Sequence, residues 1–418
     1  MNLLEIIRRD LVALPNLAKF ALALAIIVGI PPLARRVRIP GVVGLLLTGL
    51  VLGPHGLELF PEHHPVVEFL AELGKLLLMF FAGLEIDLAL FSKSKNKSYL
   101  FGLITTTVPL LLGTAVALLF HYSIVPAIVI GSLLASHTLL SLPIIIRLGE
   151  SQLEPVMITV GATVVSDTLS LVIFAICLSI FQTGFSAGAI GLQILEIAIF
   201  VPFILIGVSR LGARLLRKVE NDESTYFVVM LAILAVAGVI AQAINLPGIV
   251  GAFLAGLAVN AAVQRKPAKE KLEFFGNSLF IPLFFVVTGF LIDLTQFFET
   301  IVSNLALVTG IVLALLVGKG IAAEVVGRAF RYTAADRKTM WSLTLPQVAA
   351  TLAATLVGYD TLNHAGQRLL DLKMLNVVIV LMLVTSILGP ILTERFAAQM
   401  LPELGPMQLA KTDQDTRE

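Results

Sequence analysis

Long apolar runs separated by short polar stretches recur along the whole of this chain. Windows of about 19 residues locate thirteen runs that approach the length needed to cross a bilayer. They lie at 17–33, 39–54, 66–84, 99–120, 124–148, 155–181, 190–211, 226–244, 246–263, 278–294, 301–330, 341–359 and 372–392. This pattern predicts an all-α polytopic membrane protein with about 13 transmembrane helices.

The composition agrees with a membrane protein and excludes several other classes. Apolar residues make up 57% of the chain and charged residues 14%, whereas charged residues approach a quarter of a soluble domain. The 29 basic and 28 acidic residues nearly balance, which argues against a nucleic-acid partner. One cysteine, Cys177, excludes an intrachain disulfide and any cysteine-based metal site. No cleavable signal is recognisable, so we expect the first span to remain in the bilayer.

The basic residues predict the orientation of the spans. If thirteen spans are drawn, 22 of the 29 Lys and Arg residues fall on one side of the membrane. Because positive residues accumulate in cytoplasmic loops, we expect the amino terminus outside and the carboxyl terminus in the cytoplasm. Short loops and the lack of an organelle presequence favour a bacterial inner membrane.

Two sequence motifs occur twice in the same order. Ile-Pro-Gly-Val-Val-Gly at 39–44 is echoed by Leu-Pro-Gly-Ile-Val-Gly at 246–251. The run at 80–88, which contains Phe-Phe and ends Ile-Asp-Leu, is echoed at 284–294. The copies are seven spans apart and therefore cross in opposite directions. Spans 1–6 and 8–13 thus form an inverted repeat, as in secondary transporters.

Spans 5 and 12, which are repeat mates, each contain a polar interruption with a proline. Span 5 carries Ser-His-Thr-Leu-Leu-Ser-Leu-Pro at 136–143, and span 12 carries Thr-Leu-Pro-Gln at 344–347. Proline removes a backbone donor and frees an upstream carbonyl. Unwound helices near the midplane form ion sites in transporters, so we expect two unwound, crossing helices here.

Few ionisable residues lie within the spans, where each charge costs at least about 2.5 kcal/mol. Asp167 lies at the middle of span 6, with no Lys or Arg within a helical turn. Such a carboxyl group is suited to binding a proton and a metal cation in turn. Lys319 lies between two glycines. Its ammonium either has a functional role inside the membrane or extends to the cytoplasmic surface, on the side where Glu324 lies. His137 either titrates near neutral pH or packs as a hydrogen-bonded side chain.

Taken together, these features resemble the monovalent cation:proton antiporter-2 family, which has the sodium/proton exchanger fold. The resemblance covers about 17–392 and rests on Pro-Gly-Val-Val-Gly at 40–44, Leu-Gly-Pro at 52–54 and Gly-Leu-Glu-Ile-Asp at 83–87. It implies that Asp167 binds the proton or cation. Oxygens of Thr138, Ser166 and Thr163 would complete the site. Lys319 matches the core lysine, and we expect His137 and Glu324 to give electrostatic or structural support.

The resemblance also implies a homodimer with elevator motion and no cofactor apart from the transported Na+, K+ or Li+ and the proton. Dimerisation helices would occupy 1–98 and 225–298, core transport helices 99–181 and 299–395, a linker helix 182–224 and a short cytoplasmic tail 396–418. Electrogenic members carry an aspartate where this chain has Ser166. With one membrane carboxylate, we expect an electroneutral 1:1 exchange. Because no nucleotide-binding domain follows span 13, regulation would come from a separate subunit or from a missing domain.

Three other functions remain open at this stage. A sodium-coupled organic-anion symporter can share the inverted fold, and a gated potassium efflux system or cation channel also uses broken helices. An intramembrane aspartyl protease needs two paired carboxylates, whereas only Asp167 is central. We therefore expect a transporter rather than an enzyme.

Overall fold

The computed structural model describes residues 15–36, 41–54, 56–57, 65–85, 94–148, 153–184, 187–219, 222–244, 246–263, 267–290 and 294–400. Within these ranges the chain is helical apart from turns, short extended segments and an isolated bridge between Leu362 and Arg368. The predicted all-α class is confirmed.

The helices follow the predicted apolar runs. In chain order they are α1 (Asn16–Arg36), α2 (Gly41–Leu52), α3 (Pro65–Glu85), α4 (Lys95–Leu119), α5 (Ile124–Ala135), α6 (Leu142–Arg147), α7 (Glu154–Thr183), α8 (Ala187–Pro202), α9 (Ser209–Lys218), α10 (Glu223–Ala243), α11 (Gly248–Val263), α12 (Pro267–Phe275), α13 (Ile281–Phe290), α14 (Leu294–Ser303), α15 (Leu305–Ala329), α16 (Ala334–Leu343), α17 (Ala349–Asp360) and α18 (Leu372–Ala397). Two π-helical segments, Phe203–Val208 and Gly276–Phe280, join α8 to α9 and α12 to α13.

Within the described residues, eight helical stretches are long and apolar enough to cross a bilayer by themselves. Three shorter apolar helices, Gly41–Leu52, Ile124–Ala135 and Gly248–Asn260, fall in predicted spans 2, 5 and 9. The exact number of thirteen crossings stays a prediction. Span 11 begins later than predicted: a separate helix, α14, ends at Ser303, and α15 starts at Leu305.

Both predicted interruptions are present. Helix α5 ends where Ser136 adopts an extended conformation (φ −71°, ψ 170°), and α16 ends before the non-helical residues 344–348. The two unwound segments meet, because the backbone N–H of Thr138 donates to the carbonyl oxygen of Pro346 at 2.9 Å. Backbone groups that left the helices are thereby paired inside the protein, as a lipid environment requires.

The turns before the two broken helices have the same unusual geometry. His121 (φ 65°) and Arg331 (φ 60°) both occupy the left-handed region, which closes a tight turn at a helix end. A tyrosine follows each one, Tyr122 and Tyr332. Tyr122 donates its hydroxyl to the carboxylate of Asp371, the N-cap of α18, at 3.0 Å. The inverted repeat therefore extends to backbone conformation.

The glycines of the two duplicated motifs lie where neighbouring helices are in close contact. Gly44 packs against α1 and its mate Gly251 against α10, and a Cβ added to either would overlap the neighbouring helix. In the second motif, Gly83 lies against a carbonyl of α11 and Gly289 against a carbonyl of α2. Small residues of this kind let membrane helices approach at backbone distance.

The helices pack in two groups. Helices α1–α3 and α10–α13 form one group, and α4–α7 with α15–α18 form the other. The second group contains both broken helices and Asp167. Contacts of α17 with α3 and of α11 with α7 connect the groups. The assignment of these groups to dimerisation and transport stays a prediction.

Candidate functional site

Asp167 lies on α7 beside the unwound end of α5. Its carboxylate oxygen Oδ1 accepts a hydrogen bond from the backbone N–H of His137 at 3.3 Å. That N–H is available because Ser136 leaves the helix just before it. The break in α5 thus supplies a polar backbone group to a carboxylate that sits within an apolar helix.

The imidazole of His137 is fixed against α7 by two hydroxyl groups. Its Nε2 lies 3.0 Å from Thr163 Oγ1 and its Nδ1 lies 3.3 Å from Ser166 Oγ. The side chain is buried. Ser166, predicted as a cation ligand, also donates to the carbonyl oxygen of Thr163 and is fully buried. Its hydroxyl thus contacts the His137 ring and also lies within hydrogen-bonding reach of the Asp167 carboxylate.

Lys319 is fully buried and points into the core helices rather than to the cytoplasmic surface. Its ammonium donates to the carbonyl oxygens of Ala135 at 2.6 Å and Thr105 at 3.1 Å. Ala135 is the last residue of α5, where a positive charge satisfies a free carbonyl and the negative end of the helix dipole. Of the two positions considered for Lys319, the core and the cytoplasmic surface, the structure has the one in the core.

Glu324, predicted as a support for the site, lies among basic residues near the end of α15. Its carboxylate pairs with Arg328 at 2.7 Å and with Arg337 at 2.9 Å. An ion pair between Glu72 and Lys75 of α3 is also present, at 2.5 Å. These ion pairs connect neighbouring side chains of the scaffold, and none of them includes Asp167.

Two cavities reach Asp167 from opposite sides. The larger, about 160 Å³, lies toward the Glu154 end of α7 and is lined by Thr138, Thr163 and Asn277 among others. The smaller, about 20 Å³, lies toward the Thr183 end. Asp167 lines both, and no other acidic side chain lines either one in the described part of the chain.

Sequence analysis did not assign a role to Gln347, although it named the motif that contains it. Its side-chain amide donates to the carbonyl oxygen of Ser136 at 2.6 Å and accepts from Thr351. Its backbone N–H donates to Thr385 Oγ1 at 3.0 Å. Gln347 therefore joins both broken helices to α18. A fully buried amide at a proline break was the signal that pointed to it.

Asn277 was also missed. It lies in the π-helical segment before α13 and lines the mouth of the larger cavity. Segments of this kind occur often at functional sites, but they leave no mark in a hydropathy pattern. In the described ranges, no group of three or more His, Cys, Asp and Glu side chains could hold a resident metal ion.

The comparisons with known proteins agree with this architecture. The family profile described as "Sodium/hydrogen exchanger, transmembrane" matches residues 22–398. The Na(+)/H(+) antiporter NhaS5 of Synechocystis sp. is 44% identical over 384 residues, which cover 92% of this chain and 55% of that relative. This chain therefore spans about half the length of NhaS5. The Na(+)/H(+) antiporter of Enterococcus hirae is 31% identical over 297 residues, covering 70% of this chain and 77% of the relative.

A solved structure shares the fold. The sodium proton antiporter MjNhaP1 from Methanocaldococcus jannaschii superposes with a TM-score of 0.67 at 17% identity, covering 92% of this chain and 97% of that one. The family resemblance seen in the sequence motifs is thus confirmed. The chain belongs to the sodium/hydrogen exchanger family.

Proposed function

We propose that this protein exchanges protons for a monovalent cation across the membrane, with Na+ as the first candidate. The observation that carries the proposal is that Asp167 faces both cavities and is the one acidic side chain in the described lining of either. A carboxylate that borders cavities on two sides can be loaded from one side and, after a conformational change, unloaded to the other. Two relatives, NhaS5 and the antiporter of E. hirae, are named as Na(+)/H(+) antiporters, which supports this choice of ions.

Exchange follows from competition at this carboxylate. Asp167 binds either a proton or a cation, and a bound cation draws further oxygen ligands from Thr138 and Thr163, which line the larger cavity. The backbone N–H of His137 holds the carboxylate in place during both loadings. Ser166 and the His137 ring act through this contact. Because the two ions exclude each other, and because the helices move only when one of them neutralises the charge of Asp167, transport of one requires return of the other.

One carboxylate gives one proton for one cation, so the exchange moves no net charge. The second group of helices would carry Asp167 past the first group in a homodimer, with elevator-type alternating access. The basic residues orient the Glu154 end of α7 toward the cytoplasm of a bacterial inner membrane. With this orientation, the larger cavity lies on the cytoplasmic side of Asp167.

The test is proton movement in liposomes that contain the purified protein and an internal pH dye. With the membrane potential clamped at zero, added Na+ should drive proton efflux from an acidic interior, and K+ and Li+ are tested in turn. Asp167→Asn should abolish the response while the protein remains folded. Asp222→Asn is the matched control, since Asp222 is an exposed N-cap and Asn caps equally well.

Full exchange in Asp167→Asn would refute the single-site scheme. Cation flux without proton movement would indicate a channel, and a response that needs an organic anion would indicate a symporter. A current that accompanies exchange would refute the 1:1 stoichiometry.

A further inference from the structure

The smaller cavity beside Asp167 has the size of a single water molecule. Its volume is about 20 Å³, and one water needs roughly 10–15 Å³ by the same measure. Phe174 and Phe253 form part of its wall. A cation with its hydration shell does not fit, so an ion entering this chamber must take its ligands from the protein.

The chamber is lined by the hydroxyl-bearing residues Ser132, Ser136, Ser170 and Thr351 in addition to Asp167. Ser132 donates its proton to the carbonyl of Val129 at 2.7 Å, and Ser170 donates to the carbonyl of Asp167 at 3.3 Å. A hydroxyl whose single proton is used in this way offers only lone pairs to its surroundings.

Thr351 shows the same feature on the other broken helix. Its hydroxyl donates to the side-chain oxygen of Gln347 at 2.5 Å, which leaves its own oxygen as an acceptor. Oxygens that only accept, next to a carboxylate, suit a hard cation and disfavour an anion. They come from α5, α7 and α17, so the chamber forms only where the broken helices meet α7.

We propose that this chamber is a second position of the transported cation. A dehydrated ion of about the size of Na+ would be held there by Asp167 and the oxygens of Ser132, Ser136, Ser170 and Thr351. It would move there from the larger cavity without leaving Asp167. This inference rests on the proposed exchange of a cation for a proton, and it assigns ligands on the far side of Asp167 from Thr138 and Thr163.

The test measures exchange rate against Na+ concentration and against pH in Thr351→Val and Ser170→Ala. Each variant removes one oxygen from the chamber. Because an interaction between a polar group and an ion is worth more than one between neutral groups, we expect the KM for Na+ to rise about tenfold in each. With Na+ held at the same multiple of each variant's KM, the pH of half-maximal exchange should stay unchanged, since a proton on Asp167 needs none of these oxygens.

Two controls separate ligand loss from damage to the fold. Thr355→Val removes a buried hydroxyl one turn further along α17, which donates to the carbonyl of Thr351 and does not line the chamber. Thr351→Ser keeps the oxygen. Both should retain the wild-type KM. If Thr351→Val does not fold, Ser170→Ala decides.

The outcomes separate the two proposals. Wild-type exchange with an unchanged KM in folded Ser170→Ala and Thr351→Val would overturn the chamber and leave the exchange function intact. A wild-type protein that shows no cation-dependent proton movement would overturn the exchange function, and the chamber with it. An equal rise of KM in Thr355→Val would show that the effect comes from packing, and would also overturn the chamber.

Discussion

Replacement of Lys319 by Met tests the role of the buried lysine. Met has nearly the same length and volume but no donor, so the carbonyl oxygens of Ala135 and Thr105 lose their partners. An unsatisfied buried carbonyl costs about 1–3 kcal/mol. Loss of the ammonium also removes the cost of burying a charge, which offsets part of the destabilisation caused by the unpaired carbonyls. We expect a net loss of about 2–4 kcal/mol in the free energy of unfolding.

The assay is unfolding of the purified protein in detergent, together with the pH profile of exchange in liposomes. If Lys319 braces the end of α5, Lys319→Met should unfold more easily. The folded fraction should retain exchange, with a pH of half-maximal rate close to that of the wild type. If instead Lys319 acts by its charge on Asp167, that pH should shift by a unit or more, since one unit corresponds to about 1.4 kcal/mol.

Thr105→Val is the matched control for this experiment. It keeps the backbone carbonyl that accepts from Lys319 and removes a buried hydroxyl that has no hydrogen-bond partner. Replacing an unpaired hydroxyl by a methyl group should leave stability unchanged or slightly higher. A Lys319→Met protein as stable as the wild type, or one that loses exchange while fully folded, would refute the reasoning.

Two further variants test the close helix packing at Gly256 and the hydrogen bond from Tyr122 to Asp371. Gly256→Ala should destabilise the fold by about 1–3 kcal/mol in an unfolding measurement, because its Cβ would overlap a carbonyl of α3; Gly29→Ala, whose Cβ meets nothing within 4 Å, should not. Burial and the carboxylate of Asp371 raise the pKa of Tyr122 above its ordinary value near 10. The stability due to this group is therefore complete below about pH 10 and is lost as pH rises further, because the unfolded state ionises first. Tyr122→Phe should make the decline of the unfolding midpoint between pH 9 and 11 less steep, and an unchanged decline would contradict this account.

Much of the architecture followed from the sequence because its signals are local. Each predicted span contains helix in the described residues, and both predicted breaks lie at their polar, proline-containing stretches. The duplicated glycines pack as the repeat requires. The π-helical segments and the separate helix α14 were not predicted, because they change the hydrogen-bond pattern of apolar or amphipathic runs without changing their composition.

The site was predicted less completely, because its contacts join distant parts of the chain through backbone atoms. Lys319 was recognised as unusual, yet its acceptors are carbonyls of Thr105 and Ala135, and every residue offers a carbonyl. Ser166 was expected beside the ion, but its contact with the His137 ring was not predicted. Only the fold decides which of several neighbouring hydroxyls faces a cavity.

The two halves of the repeat differ at the position of the carboxylate. His137 and Gln347 lie equally far along the chain from the left-handed turns of their halves, and Asp167 and Thr385 lie equally far from the N-caps of α7 and α18. In the first half the backbone N–H of His137 donates to the Asp167 carboxylate; in the second, that of Gln347 donates to the Thr385 hydroxyl. The same backbone donor is thus built twice, but a neutral hydroxyl neither takes up a proton near pH 7 nor balances the charge of a cation. The second half therefore offers no carboxylate at the matching position, which agrees with the proposed exchange of one proton for one cation.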